Sequence, residues 1–357
     1  MSQNALPIAA QRSDFASIAL LVAEEAGMLV SSGHRTNPHA DHKGRHDLVT
    51  EYDRRSEELL VARLTALTPG IPVVGEEQFS AERDGPGKRG LCWYVDPLDG
   101  TTNFVHGHPF WCVSVGLMED DQPIAGAVVA PSLHLRWAGW VAAPSSEPLA
   151  KPSPGAAYRN GRACVVSNTG SFDSALVATG FPPNRDRAPE NNFASFIAVK
   201  HAARAVRRCG SAAIDLCMVA DGTYDAYWER RLGAWDVAAG CAIVLAAGGK
   251  ITALDGARKR RFSLGFRGAV RVVGCSRRSR QRIQVCTQQD DLIAQRRVFP
   301  GNLSNHVVAI EIPFLIGRAQ FETQLWRDAA LHHAQHHVVV LRLDDDDRHR
   351  VLRCIRI

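Results

Sequence analysis

Two spacings of apolar residues alternate along the chain. Where apolar residues recur three and four positions apart, the pattern predicts helices over 14–31, capped by Ser13, and over 52–67. In the second helix Leu59, Leu60, Leu64 and Leu67 share a face, and Gly70 lies beyond its end. The polar residues 32–46 between these helices predict a mobile loop. Where apolar residues are continuous or alternate, strands are predicted over 71–74, 93–95, 111–118, 124–130 and 136–141. The turn Glu119–Pro123 makes two of them a hairpin. Residues 142–155, rich in Pro and Ser, read as a loop or soft boundary. Past Ser167 strands and helices alternate: strand 175–179, helices 191–206 and 211–220, strand 224–228, helix 235–247, then strands 250–253 and 270–273. The sum is a layered α/β (α+β) chain without internal repeats. It divides into an α+β half over 1–170, an α/β half over 171–275, and a tail of different texture over 276–357.

Composition narrows this only a little. With 357 residues, 45% apolar and 22% charged, the chain is long enough for two domains or one large layered one. Its net charge of +5 reflects a local stripe, since residues 256–289 contain no Asp or Glu but carry arginines from Arg258 to Arg282. The nine cysteines form no C-x-x-C pair, which points to a reducing, cytoplasmic setting. The apolar stretch 18–30 carries Glu24 and Glu25 and is too short to span a bilayer, so no membrane is expected.

The chemistry concentrates in Asp96-Pro97-Leu98-Asp99-Gly100-Thr101-Thr102-Asn103-Phe104, at the end of a predicted strand. Pro97 stiffens the turn, Gly100 lets it bend, and two carboxylates sit beside backbone amides. Hard anionic oxygens next to N–H groups suit a divalent cation holding a phosphate. Taken alone, the run reads more readily as a tight turn than as a site. Three more acids lie at element ends: Glu76 after a strand, Asp53 at the start of the second helix, and Asp236 opening the helix over 235–247. Asp53 and Asp236 each suit a helix cap. Together the five ask for a shared cation.

These residues resemble the inositol monophosphatase family. The likeness rests on Gly75-Glu76-Glu77, on 96–107 and on Trp235-Asp236-Val237-Ala238-Ala239-Gly240, with support from 47–53, Asn160-Gly161, Gly180-Phe181-Pro182 and Gly210-Ser211-Ala212-Ala213. It covers about residues 13–275. It implies an αβαβα sandwich of the inositol monophosphatase/fructose-1,6-bisphosphatase type and a Mg²⁺-dependent, lithium-sensitive phosphomonoesterase. By that resemblance Glu76, Asp96 and the Leu98 carbonyl hold a first Mg²⁺, and Asp96, Asp99 and Asp236 a second. Glu76 also faces a weakly held third ion. Thr101 and Asp53 activate the attacking water, with Glu76 counted among the catalytic residues. The Gly100 and Thr101 amides cradle phosphate, and Ser211, Ala213 and Glu229 meet the substrate body. The expected substrate is inositol monophosphate or another small phosphorylated polyol or sugar. Histidinol phosphate, fructose 1,6-bisphosphate and a phosphorylated nucleotide are alternatives. A homodimer is expected.

Other features carry less. His106 and His108 suit packing better than an all-oxygen metal site. Lys43 could reach the phosphate. Trp228 and Trp235 read as core. The tail's His332–His337 run and acidic block Asp344–Asp347 read as solvated or disordered residues. A non-enzymatic alternative is an RNA-associated binding protein that tracks phosphates along Arg258–Arg282.

Overall fold

A computed structural model describes residues 8–44, 47–79, 90–143, 155–188, 191–252 and 268–273, and three short strands beyond. The chain forms two compact units, residues 1–289 and 290–357. In chain order the first unit contains α1 (Ile8–Ser31), β1 (Ala40–Gly44), β2 (Asp47–Thr50), α2 (Glu51–Leu67), β3 (Val73–Gly75), α3 (Glu76–Phe79), β4 (Leu91–Asp99) and α4 (Thr101–Val105). Then come β5 (Cys112–Glu119), β6 (Gln122–Ala130), β7 (Leu135–Val141), β8 (Gly155–Arg159), β9 (Arg162–Ala163), β10 (Leu176–Thr179), α5 (Phe193–Ala202) and β11 (Ala205–Arg207). The unit continues with α6 (Ala212–Ala220), β12 (Ala226–Leu232), α7 (Ala234–Ala246), β13 (Lys250–Thr252) and β14 (Gly268–Val273).

Strands β3 to β9 form a seven-stranded sheet in sequence order, antiparallel except for the parallel pair β3–β4. Alternation along β4 sends Trp93 and Val95 to one face and Cys92 and Tyr94 to the other. The first face packs on α1 and α2, through Ala19, Ala23, Leu60 and Leu64. The second packs on α6 and α7, through Leu216, Val237 and Cys241. Helix α7 lies so close to the sheet that a Cβ on Gly116 would stand 2.4 Å from the Ala239 nitrogen, and one on Gly126 2.6 Å from the Ala239 Cα. Glycine there lets helix and sheet touch.

On the far side of α6 and α7 lies a five-stranded sheet in the order β11-β10-β12-β14-β13. Ala178 and Tyr227 face the two helices, whereas Val177 and Trp228 face α5 through Val199 and Ala203. Helices, sheet, helices, sheet and helix therefore stack in five layers, the αβαβα order expected.

Three local expectations change. Helix α1 begins at Ile8, and Ser13 lies within it. The polar segment 32–46 contains β1, which pairs antiparallel with β2 from Ala40 opposite Thr50 to Gly44 opposite Asp47. The helix expected over 191–206 stops at Ala202, and Ala205–Arg207 instead extends the small sheet, pairing parallel with Leu176–Ala178. An unpaired strand edge outweighs helix propensity there.

Beyond residue 290 the description covers Val308–Ile310, Val339–Arg342 and Arg353–Ile355, an antiparallel three-stranded sheet. The stretch 256–289 lies outside the described residues except for the β14 backbone. So do His332–His337 and Asp344–Asp347. Among the described residues no helix is long and apolar enough to cross a membrane.

Candidate active site

The end of β4 is built around a bulge. Asp96 pairs with Ser114 and Asp99 with Cys112, so Pro97 and Leu98 together stand against the single residue Val113 of β5. Proline has no N–H to offer the ladder, and a bulge re-aims the side chains around it. Both aspartates come to line one cavity of about 750 Å³. Gly100 follows at φ +98° and caps α4 in the left-handed region. A Cβ there would stand 3.0 Å from the Phe110 carbonyl and 3.3 Å from that of Gly210. Ser56 of α2 donates to the Pro97 carbonyl at 2.9 Å, and Asn103 donates to the carbonyls of Phe110 and Cys209 at 2.7 and 2.9 Å. The turn is thus fixed from three sides.

Each acid is held by donors. The Leu98 amide donates to Asp96 at 3.0 Å. Ser211 Oγ and the Ala213 amide donate to Asp99 Oδ2 at 2.8 and 2.7 Å. The Gly233 amide, at the N-cap of α7, donates to Asp236 Oδ2 at 2.5 Å. Glu76 ion-pairs with Lys43, which also bonds Glu77. Burial is the main force raising the pKa of Asp96, Asp99 and Asp236, and Glu76 raises each of them further. Asp99 reaches about 6.

Asp53 is 1% exposed on α2. Its Oδ2 accepts from the Thr50 amide and hydroxyl at 2.8 and 2.6 Å, and its Oδ1 from Thr101 Oγ1 at 3.0 Å. Thr101 Oγ1 also lies 3.1 Å from the Leu98 carbonyl, but its single proton serves one acceptor at a time. Burial pushes the Asp53 pKa upward against those bonds.

Glu229 lines the same cavity from β12. Its carboxyl accepts from the Tyr227 hydroxyl and lies where a Cβ on Gly180 would be, 2.1 Å away. Burial raises its pKa to about 7. Ser211 and Ala213, expected against the substrate body, point their donors at Asp99 instead.

Glu57 was not anticipated. It is buried one turn after Asp53 and accepts from the Glu77 amide at 2.8 Å, which anchors the segment carrying Glu76. The spacing 53, 57, 60, 64 along the buried face of α2 was the available signal. His106 and His108 do not line the cavity, and His108 Nδ1 accepts from the Phe110 amide at 3.3 Å. Trp228 is buried, donating to Asn192 at 2.8 Å.

Among the described residues, no three carboxylate, imidazole or thiol groups stand close enough together to grip one ion as placed. Glu76 pairs with Lys43, and Asp99 and Asp236 accept from N–H and O–H donors. The donor set nevertheless fits a hard divalent cation. It is all oxygen, mutually repelling, and buried where only positive charge relieves it.

The model of the inositol monophosphatase family matches residues 11–293. The chain belongs to that family. The inositol-1-monophosphatase of Synechocystis is 42% identical over 215 residues, 60% of this chain and 69% of that protein. Inositol monophosphatase 2 of Solanum lycopersicum is 37% identical over 246 residues, 67% of this chain and 86% of that protein. The solved inositol monophosphatase of Anabaena superposes with a TM-score of 0.60 at 31% identity, covering 74% of this chain and 92% of that one. Membership makes this chain a phosphoric monoester hydrolase. It also places the carboxylate cavity in the part of the chain that the family shares.

Proposed function

We propose that the chain hydrolyses inositol monophosphate, or a closely similar small phosphorylated polyol, with Mg²⁺. The single observation that carries this reading is the convergence of Glu76, Asp96, Asp99 and Asp236 on one cavity, with the Asp53–Thr101 hydrogen bond beside them. Glu76, Asp96 and the Leu98 carbonyl would hold one ion, and Asp96, Asp99 and Asp236 another. A third would lie near Glu76. Bound Mg²⁺ supplies positive charge for the phosphoryl oxygens, the attacking water and the departing alkoxide.

The chain's own groups do the rest. Thr101 donates a hydrogen bond to Asp53, which leaves its oxygen lone pairs to accept from a water. As that water attacks, its proton passes to Thr101, and the threonine's own proton passes to Asp53. Burial has already made the Asp53 carboxylate more basic. The Gly100 and Thr101 amides, at the start of α4, cradle the phosphate. Glu229, fixed by Tyr227, accepts from a hydroxyl of the substrate body. Ser211 and Ala213 serve by holding Asp99.

Glu76 ion-pairs with Lys43 in this arrangement, so binding the first ion exchanges an ammonium for a metal. None of the described cysteines forms a disulfide, which suits a cytoplasmic enzyme. A homodimer belongs to the same reading.

Phosphate release from inositol 1-phosphate tests it. Activity should need Mg²⁺ and vanish with a chelator. Asp99→Asn should lose about a thousandfold in kcat while its melting curve stays cooperative. Near-normal turnover by that variant would overturn the mechanism.

A further inference from the structure

The cavity that holds these carboxylates is lined by positive charge as well. Arg185, from the segment after β10, Arg208, just before α6, and Arg231, in β12, all line it. None of the three forms an ion pair with a described carboxylate, although seven other Arg side chains do. Arg208 does act at longer range on buried Asp215 and Glu229, holding both carboxyls lower than burial alone would. Arg231 stands at a break in the β12–β14 pairing, between Glu229 and Leu232, with φ 64°. A non-glycine residue in the left-handed region is uncommon and costs about 1 kcal/mol or more. Here that bulge puts a guanidinium on the cavity wall. Gly210 lets Arg208 lie close, since its Cβ would be 2.7 Å from an Arg208 nitrogen. Arg208 offsets part of the charge of Asp215 and Glu229, but a neutral polyol has no use for the guanidinium groups of Arg185 and Arg231. They match a second anion, by planar hydrogen bonding to phosphate or carboxylate oxygens.

We infer that Arg185, Arg208 and Arg231 form a specificity wall for phosphomonoesters whose body carries a second anionic group. The inference rests on the proposed hydrolysis. The carboxylates take the phosphate that leaves, and the arginines take the charge that stays. General attraction of anions into the cavity is the competing physical account, and it would favour every phosphate ester alike.

The test measures kcat and KM for three esters with Mg²⁺: inositol 1-phosphate, fructose 1,6-bisphosphate for a second phosphate, and 6-phosphogluconate for a carboxylate. The expected result is a kcat/KM at least about tenfold higher for one of the two doubly anionic esters. Arg185→Gln and Arg231→Gln should each raise KM for that ester about tenfold and leave KM for inositol 1-phosphate within twofold. Arg231→Lys should recover part of the loss, because charge remains without the planar fork. Whichever ester gains names the second group. Hydrolysis of inositol 1-phosphate with no preference for either doubly anionic ester would overturn the inference alone. Equal KM increases for all three esters would do the same in favour of general attraction. Release of phosphate from none of them would overturn the hydrolytic reading and the inference with it.

Discussion

Asp96 stands buried and Asp99 and Asp236 half-buried in the cavity, each with backbone or hydroxyl donors. Arg185, half-buried, and Arg208 and Arg231, exposed, line the same cavity with no ion pair to a described carboxylate. The acids are fixed before anything binds. A strand bulge sets Asp96 and Asp99, the first turn of α7 sets Asp236, and neighbouring amides set the orientation of each carboxylate. The arginines sit on long side chains over a bulge and loops, where orientation comes from whatever they meet. One set is therefore built for a constant demand, and the other for a group that differs between substrates. The bond to be broken is the same in every phosphomonoester. The alcohol is not.

This difference can be broken most sharply at Thr101. Thr101→Ala removes the hydroxyl that links the water to Asp53, without touching any of the four carboxylates. Its kcat should fall about a hundredfold with KM for inositol 1-phosphate little changed. Thr101→Ser keeps the hydroxyl and should keep most of the rate. If Thr101→Ala raised KM and spared kcat, the residue would belong with substrate recognition and the division between the two sets would fail.

The same division explains what could be read from the chain alone. Asp96, Asp99, Glu76, Asp53 and Asp236 were legible because each follows an element boundary marked by Pro, Gly or a capping pattern, and the spacing of those boundaries is local. Arg185, Arg208 and Arg231 were not. Nothing local distinguishes an arginine on a cavity wall from one in water, and the bulge that places Arg231 exists only because β14 pairs with β12. Alternating elements pointed to a layered α/β chain, and the five-layer order came only with the family resemblance. The pairing of β1 with β2, and the conversion of 205–207 from helix to strand, came from partners distant in sequence. Ser211 and Ala213 carried a family role that the geometry redirects to Asp99.

A smaller effect should appear in the stability of the metal-free protein. Burial raises Asp99 to about 6 and Glu229 to about 7, against unfolded values near 4. Between those limits the folded chain binds more protons than the unfolded chain, so stability falls as pH rises and the loss is complete above about 7. With a chelator present, Tm should drop by several degrees between pH 5 and pH 8. Saturating Mg²⁺ should raise Tm more at pH 8 than at pH 5, since it binds the ionised carboxylates. A metal-free Tm that is flat or higher at pH 8 would mean the acids are better compensated by Lys43 and the surrounding donors than their burial implies.

The mildest perturbation tests whether donors truly fix the carboxylates. Ser211 Oγ does two jobs, donating to Asp99 at 2.8 Å and accepting from the Ile214 amide at 3.4 Å as the N-cap of α6. Ser211→Ala loses both, while the Ala213 amide still holds Asp99. The lost cap should cost about 1 kcal/mol, a fall of about 2–4 °C in Tm. The lost donor raises the affinity of Asp99 for a proton, so protons compete better with Mg²⁺. The Mg²⁺ concentration for half-maximal activity should rise several-fold at pH 6 and less at pH 8, where Asp99 is ionised regardless. Ser211→Thr should restore both properties because its hydroxyl can cap and donate. If Ser211→Ala lowers Tm but leaves the Mg²⁺ requirement unchanged at pH 6, the hydroxyl only caps the helix, and the Ala213 amide alone orients Asp99.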